Sequence, residues 1–179
     1  MRILFVVTGN GSRSNFITGH KMRYDKAGLS GTDTSSILVA EYLANNGHEV
    51  VVAVEESGDK LKEDRNNRGY TFNPGKEIVN GVTYTYIPNL EGIEDVNFDI
   101  LVNCLWFGEY DNLNAKIKRG VFYWCHLSWG YYMAELKDYA IKHNLKVGYV
   151  NISKWAREHH LENIKYFFID NSVQCTVYY

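Results

Sequence analysis

A chain of 179 residues with 45% hydrophobic and 22% charged side chains has the size and composition of a soluble globular domain with one sizeable core. Its formal net charge of −2 excludes a global basic field that would collect nucleic acid or an anionic membrane, although Lys21 with Arg23 forms a local spot suited to a phosphate. Cys104, Cys125 and Cys175 form no CxxC pair and lack metal-ligand spacing; an odd count without a secretory signal points to reduced thiols and a cytoplasmic setting.

The first apolar run, Arg2–Thr8 (RILFVVT), is too short for a signal or membrane span and reads as a central parallel strand buried on both faces. Residues 9–30 form a long polar stretch, of the kind that is usually functional or mobile inside a compact domain. Residues 32–46 read as a helix: Ile37, Leu38, Tyr42 and Leu43 fall near helical spacing, and Gly47 suits the C-terminal cap. Glu49–Val54 (EVVVAV) is a second buried strand, so the opening is a right-handed βαβ unit. Residues 55–76 are highly charged and read as a surface excursion. Asn80-Gly81 signals a turn before an alternating strand at 82–87, which Pro88 ends.

Further strands are expected at 98–104 (FDILVNC), 121–125 (VFYWC), 147–152 (VGYVNI) and 164–169 (IKYFFI). Helices are expected at 112–119, at 131–143, and at 153–161 with Ser153 as N-cap. Strands alternating with helices throughout predict one α/β domain over 1–179, a doubly wound, mostly parallel Rossmann-like sheet of about seven strands flanked by helices. There is no internal repeat, and no linker divides the chain.

In such a sheet, ligands bind outside the carboxyl ends of the strands. That rule nominates 9–31, 106–110, 126–131 and 151–154. Ser30, Gly31, Thr32 and Asp33 stand directly before a helix, where glycine admits close backbone approach and the helix N-terminus favours an anion; the same residue types also cap helices with no ligand present. His126 follows a strand and is placed to donate to a substrate hydroxyl or to stabilise developing charge; the alternative is an imidazole satisfied by backbone at the strand exit. Asn10, Lys21 and Arg23 suit phosphate or polyol recognition, or are ordinary surface charge. Trp106 and Trp129 each lie just past a strand, where they can stack on a sugar ring or pack at the rim. The sequence contains no Walker A, HExxH or GxSxG motif and no zinc ligand set. The dinucleotide fingerprint starts at Gly9-Asn10-Gly11 and breaks at Ser14, which argues against a standard NAD or FAD oxidoreductase.

The string GLSGTDTSSILVAEYLANNGHEVVVAV resembles the opening of family 4 retaining glycosyltransferases of GT-B fold, in which a Gly-Gly-x-Glu loop enters a helix ending in Gly-His-Glu-Val before a strand. Here Asn46-Gly47-His48-Glu49-Val50 matches that ending, while Ser30 and Asp33 replace the first glycine and the glutamate of the loop. Asn80-Gly81-Val82 with VTYTYIP, VFYWCH and YVNISKWAREHH resemble later segments of the family in the same order. IKYFFIDNSV resembles the closing Ile-Pro-Asn-Gly-Val that marks the crossing into a second domain, with Asp170 and Ser172 replacing Pro and Gly.

This resemblance implies the N-terminal, acceptor-side half of a sugar transferase, with the donor-binding domain not included in residues 1–179. It implies transfer of a hexose-type sugar from a nucleotide-sugar co-substrate, with retention and with no metal or other cofactor. Gly31 and Thr32 would lie against the donor phosphates, His126 would contact the transferred sugar, and Lys21, Arg23, Trp106 and Trp129 would select a glycan, lipid-linked or small-molecule acceptor. The partner would be a donor-binding domain or separate chain, with no nucleic acid and no transmembrane segment. The alternatives are a non-catalytic glycan- or partner-binding module and one half of a split GT-B enzyme; without the donor half, the isolated domain is expected to be inactive.

Overall fold

β1 (Arg2–Thr8) is the strand around which the sheet is organised in a computed structural model describing residues 1–8, 31–54, 76–87, 95–105, 110–113, 115–125, 133–151 and 173–176. After it come α1 (Gly31–Asn45), β2 (Glu49–Val54), β3 (Glu77–Val79), β4 (Val82–Tyr86) and β5 (Asn97–Leu105). A 3-10 turn (Tyr110–Asn112), β6 (Lys116–Cys125), α2 (Met133–Lys142), β7 (Lys146–Asn151) and β8 (Val173–Thr176) complete the order. One sheet of eight strands runs β3-β4-β2-β1-β5-β6-β7-β8. Among the described residues β3 pairs antiparallel with β4, and the other strand pairings are parallel. The expected α/β Rossmann-like architecture is present.

β1 shows no polar alternation because both its faces are covered. Ile3, Phe5 and Val7 pack into one core with Ile37 and Ala40 of α1, while Leu4 and Val6 pack into the other with Leu136, Tyr139 and Ala140 of α2. The path from β1 to β2 moves one way across the sheet, and that from β6 to β7 moves the other. Right-handed crossovers in opposite directions put their helices on opposite faces, so the sheet is doubly wound. Each fully buried Val, Leu or Phe in these cores contributes about 1.5–3 kcal/mol of transfer free energy.

The breaks in the chain have local causes. The amide of Gly47 donates to the carbonyl of Ala44 at 3.0 Å and that of His48 to Leu43 at 3.1 Å, with Gly47 at φ +80°. α2 ends in the same two-bond motif, from Asn144 to Ile141 (3.1 Å) and from Leu145 to Ala140 (2.8 Å), with Asn144 at φ 53°. Asn80 and Gly81 both have positive φ, which makes the β3–β4 connection a type I′ hairpin turn, and Asn80 Nδ2 donates to Glu41 Oε1 of α1 at 3.0 Å.

Three features differ from expectation. The helix expected at 112–119 is absent: a 3-10 turn ends at Asn112, and Lys116 already opens β6, paired with Asn97. Lys116-Ile117-Lys118 alternates with period two and packs Ile117 against the core, which outweighs the helix propensity of its lysines. β3 adds an antiparallel edge strand. β8 occupies Val173–Thr176 and pairs with β7, so Val173, expected at a crossing out of this domain, lies within the sheet. The helix expected at 153–161, the strand expected at 164–169, the stretch 9–30 and most of the excursion at 55–76 lie outside the described residues.

Arg2 gathers the amino ends of three strands. Its amide donates to Asp99 Oδ2 (2.9 Å), its Nε to Glu49 Oε1 (2.8 Å), and its Nη1 to the Asp95 and Asn97 carbonyls. The guanidinium also lies 4.8 Å from the centre of the Phe98 ring. Asp95 is held down to about pKa 2, chiefly by the side-chain and backbone N–H groups of Asn97 at 2.6 and 2.8 Å, with Arg2 adding to the effect.

Phe122 lies across Gly148 on the neighbouring strand, so that a Cβ at 148 would fall inside the ring's contact distance. Gly148→Ala is expected to destabilise the fold by about 1–3 kcal/mol, and the loss should shrink when Phe122 is Ala. Urea denaturation of the four proteins of that cycle measures it, and an unchanged loss in the Phe122→Ala background would exclude the clash as cause. For Asp95, a depressed folded pKa means stability that is present above the unfolded value near 3.8 and lost as pH falls towards 2. Asp95→Asn should therefore flatten the decline of the urea midpoint between those pH values; an unchanged slope would show that the Asn97 and Arg2 contacts do not persist in solution.

Candidate functional site

Parallel pairing brings the carboxyl ends of the strands to one edge, and the registers make that edge even. Thr8 of β1 stands beside Leu105 of β5. Cys104 pairs with Trp124, so the next residues, Leu105 and Cys125, are adjacent on the rim. Cys125 pairs with Asn151, and Asn151 with Thr176. With neighbouring strands about 4.8 Å apart, these five final residues form a row roughly 19 Å long.

The row includes the switch point. From β1 the chain winds outward to β2 and β4 on one side, and later to β5, β6, β7 and β8 on the other. The seven parallel strands, taken in chain order, stand as 3-2-1-4-5-6-7. The crevice of such a sheet opens between the carboxyl ends of its two halves, here β1 and β5.

Of the residues singled out in the sequence, Gly31, Thr32 and Asp33 form the first turn of α1. The chain runs from the carboxyl end of β1 through α1 to the amino end of β2, so that turn belongs to the rim side of the domain. The helix begins at Gly31, one residue earlier than expected. Asn10, Lys21, Arg23, Ser30, Trp106, His126 and Trp129 lie outside the described residues. In sequence, His126 directly follows Cys125, and Trp106 directly follows Leu105, both members of the rim row.

Sequence reasoning missed a polar anchor beneath the rim. Asn103 is buried in β5 two residues before its end, and its Nδ2 donates to the hydroxyl of Tyr110, itself buried in the α2-side core. Tyr110 was expected at the end of a ligand-facing segment; its ring turns inward instead, 5.5 Å from that of Tyr139. The signal was an Asn inside an otherwise apolar run, where a buried amide requires a partner. Burial pushes the Tyr110 hydroxyl far above its ordinary pKa, as it does, in direction, for Tyr139 and Tyr149.

A shallow cleft of about 260 Å³ lies between the 3-10 turn and α2, with Asp111, Glu135, Asp138 and Lys142 on its walls. Lys142 Nζ is 2.9 Å from Asp111 Oδ1 and, with His143 at 3.7 Å, holds the Asp111 carboxyl below the ordinary range. None of the rim-row residues lines this cleft. Among the described residues no group of His, Cys, Asp or Glu side chains is arranged to hold a metal ion, and no helix is long and apolar enough to cross a membrane.

The Tyr110 anchor has an alkaline signature. Its folded pKa is raised, so above about pH 10 the unfolded chain loses protons that the folded chain keeps, and stability falls with rising pH. Tyr110→Phe should weaken that alkaline decline and, by removing the partner of Asn103, cost about 1–3 kcal/mol at neutral pH. Urea midpoints from neutral to alkaline pH measure both effects, and a Phe variant as stable as the parent at neutral pH would refute the anchor.

Compared with models of known protein families, with curated proteins and with solved structures, the chain matches none.

Proposed function

We propose that this chain is the acceptor-side half of a GT-B sugar transferase, moving a hexose-type sugar from a nucleotide-sugar donor to an acceptor hydroxyl with retention of configuration. The observation that carries the reading is positional. The segments whose sequences resemble family 4 glycosyltransferases at the site follow, in the same order, strand ends that share one rim: α1 opens at Gly31 after β1, His126 follows β6, and Asn151 closes β7. In an open parallel sheet that rim is where ligands bind.

On this reading the donor is held mainly by a second Rossmann domain, supplied by the same polypeptide or a separate one. The amides of the first turn of α1 favour the diphosphate, because unpaired N–H groups at a helix start carry partial positive charge. Stabilising the departing diphosphate in this way lowers the barrier to breaking the sugar–oxygen bond. His126 contacts the transferred sugar, and Lys21, Arg23, Trp106 and Trp129 select the acceptor; no metal is required.

The test is sugar transfer by the chain together with its donor-binding half, using a panel of nucleotide sugars. His126→Ala and Gly31→Val should each lower kcat roughly a hundredfold or more, the range seen when one transition-state donor is removed, without loss of folded structure by circular dichroism. Transfer at the parental rate by both variants would overturn the site. Glycan binding without turnover of any donor would instead identify a binding module.

A further inference from the structure

A second surface lies at the opposite, amino edge of the sheet. β6 begins four residues before β7 can pair with it, because Lys146, the first residue of β7, stands opposite Gly120. Residues 116–119 therefore overhang β7, and they read Lys-Ile-Lys-Arg. Lys116, Lys118 and Arg119 are exposed on this overhang, Lys146 is exposed at the start of β7, and Lys142 and His143 are exposed where α2 ends. Arg119 is matched by Asp99 at 3.2 Å and Lys142 by Asp111 at 2.9 Å. Among the described residues Lys116 and Lys146 have no carboxylate partner, while Lys118 forms no close ion pair but acts with Arg119 on the charge of Asp99. A chain of net charge −2 thus gathers on one edge, among its described residues, two unmatched lysines and a third that shares one carboxylate with Arg119.

The plainest account of lysines on an overhanging strand is protection of its open backbone from stray pairing. That accounts for Lys116 and Lys118. It leaves Lys146 and Lys142, which other elements bring to the same edge. It also leaves Ile141, in the last turn of α2, which is 55% exposed beside them.

We propose that this amino edge docks the domain on an anionic bilayer surface. The charges are mostly lysine ammonium groups, compact point charges suited to a diffuse array of headgroups rather than to the forked recognition at which arginine excels. Tyr42, exposed in the last turn of α1, lies on the opposite face of the sheet from α2, so among the described residues no exposed Tyr, Phe or Trp stands beside these lysines for a nucleic-acid base to stack on, whereas an exposed Ile beside lysines matches the apolar and charged layers of a bilayer interface. Docking through the amino edge leaves the carboxyl rim turned away from the membrane.

Co-sedimentation of the full chain with phosphatidylserine-rich vesicles, set against phosphatidylcholine vesicles and repeated at high salt, tests the proposal. Binding is expected only to the anionic vesicles and should be lost at high salt. The triple variant Lys116→Gln, Lys118→Gln, Lys146→Gln should bind roughly a hundredfold more weakly, since each lysine near such a surface contributes about fivefold. Its urea midpoint should stay close to the parent's, because the three side chains are exposed. Ile141→Ser should weaken vesicle binding independently. No binding to anionic vesicles, or equal binding by the triple variant, would overturn the proposal, as would preferential capture of single-stranded RNA.

Discussion

Parallel pairing of β1 on both its sides is the constraint on which the rest of the molecule depends. A strand flanked by two parallel neighbours must be reached by crossovers on both sides, and crossovers have one hand. The direction of travel then decides which face each helix covers. α1 takes the face of Ile3, Phe5 and Val7, and α2 takes the face of Leu4 and Val6. The same geometry parts the chain's two halves at the carboxyl ends of β1 and β5, where a crevice opens without further design. The unbroken apolar character of β1 is thus the cause of the two-faced core and of the location of the rim.

Register links the two edges of the sheet. Arg2 clasps Glu49, Asp95, Asn97 and Asp99, so β1, β2 and β5 begin in fixed relation. A one-residue slip of a strand would turn its inward side chains to the wrong face, and Arg2 adds to the apolar contacts that oppose slipping at this end. With that end fixed, strand length sets where each chain segment leaves the sheet, and Thr8, Leu105, Cys125, Asn151 and Thr176 come out level. The Arg2 contacts lie at the amino edge and the rim row at the carboxyl edge, with the Asn103–Tyr110 hydrogen bond buried between them. That bond ties β5 to Tyr110 in the α2-side core.

What could be read from the sequence follows from how locally each feature is encoded. β1 and β2 are apolar runs too short for helices, and their bounds are as expected. Gly47 and the Asn80-Gly81 pair declare positive φ through residue type alone, so the end of α1 and the hairpin turn were legible. β3 was not, because three residues with an exposed Ile78 carry no periodicity, and their pairing depends on a turn that follows them. The Lys116–Cys125 strand was cut short for the opposite reason: its basic start has good helix propensity, and only pairing with Asn97 and Phe98 keeps it extended. Asn103 was visible as an odd residue in an apolar run, but its partner seven residues on was not. The candidate site is a set of positions after strand ends, of which the strand ends alone are described; the chemistry proposed there rests on ordered resemblance, because no residue near the rim declares its role by type alone.

β8 bears on where one domain would give way to another. The closing motif of the resemblance ends at Val173, and a crossing there would require the chain to leave the sheet. Instead Val173, Gln174, Cys175 and Thr176 pair in register with Gly148, Tyr149, Val150 and Asn151. A segment hydrogen-bonded into a sheet belongs to that sheet's domain, so on the proposed reading the crossing falls after Thr176. A parallel strand at that position extends the rim row to Thr176, and so lengthens the edge along which an acceptor would lie.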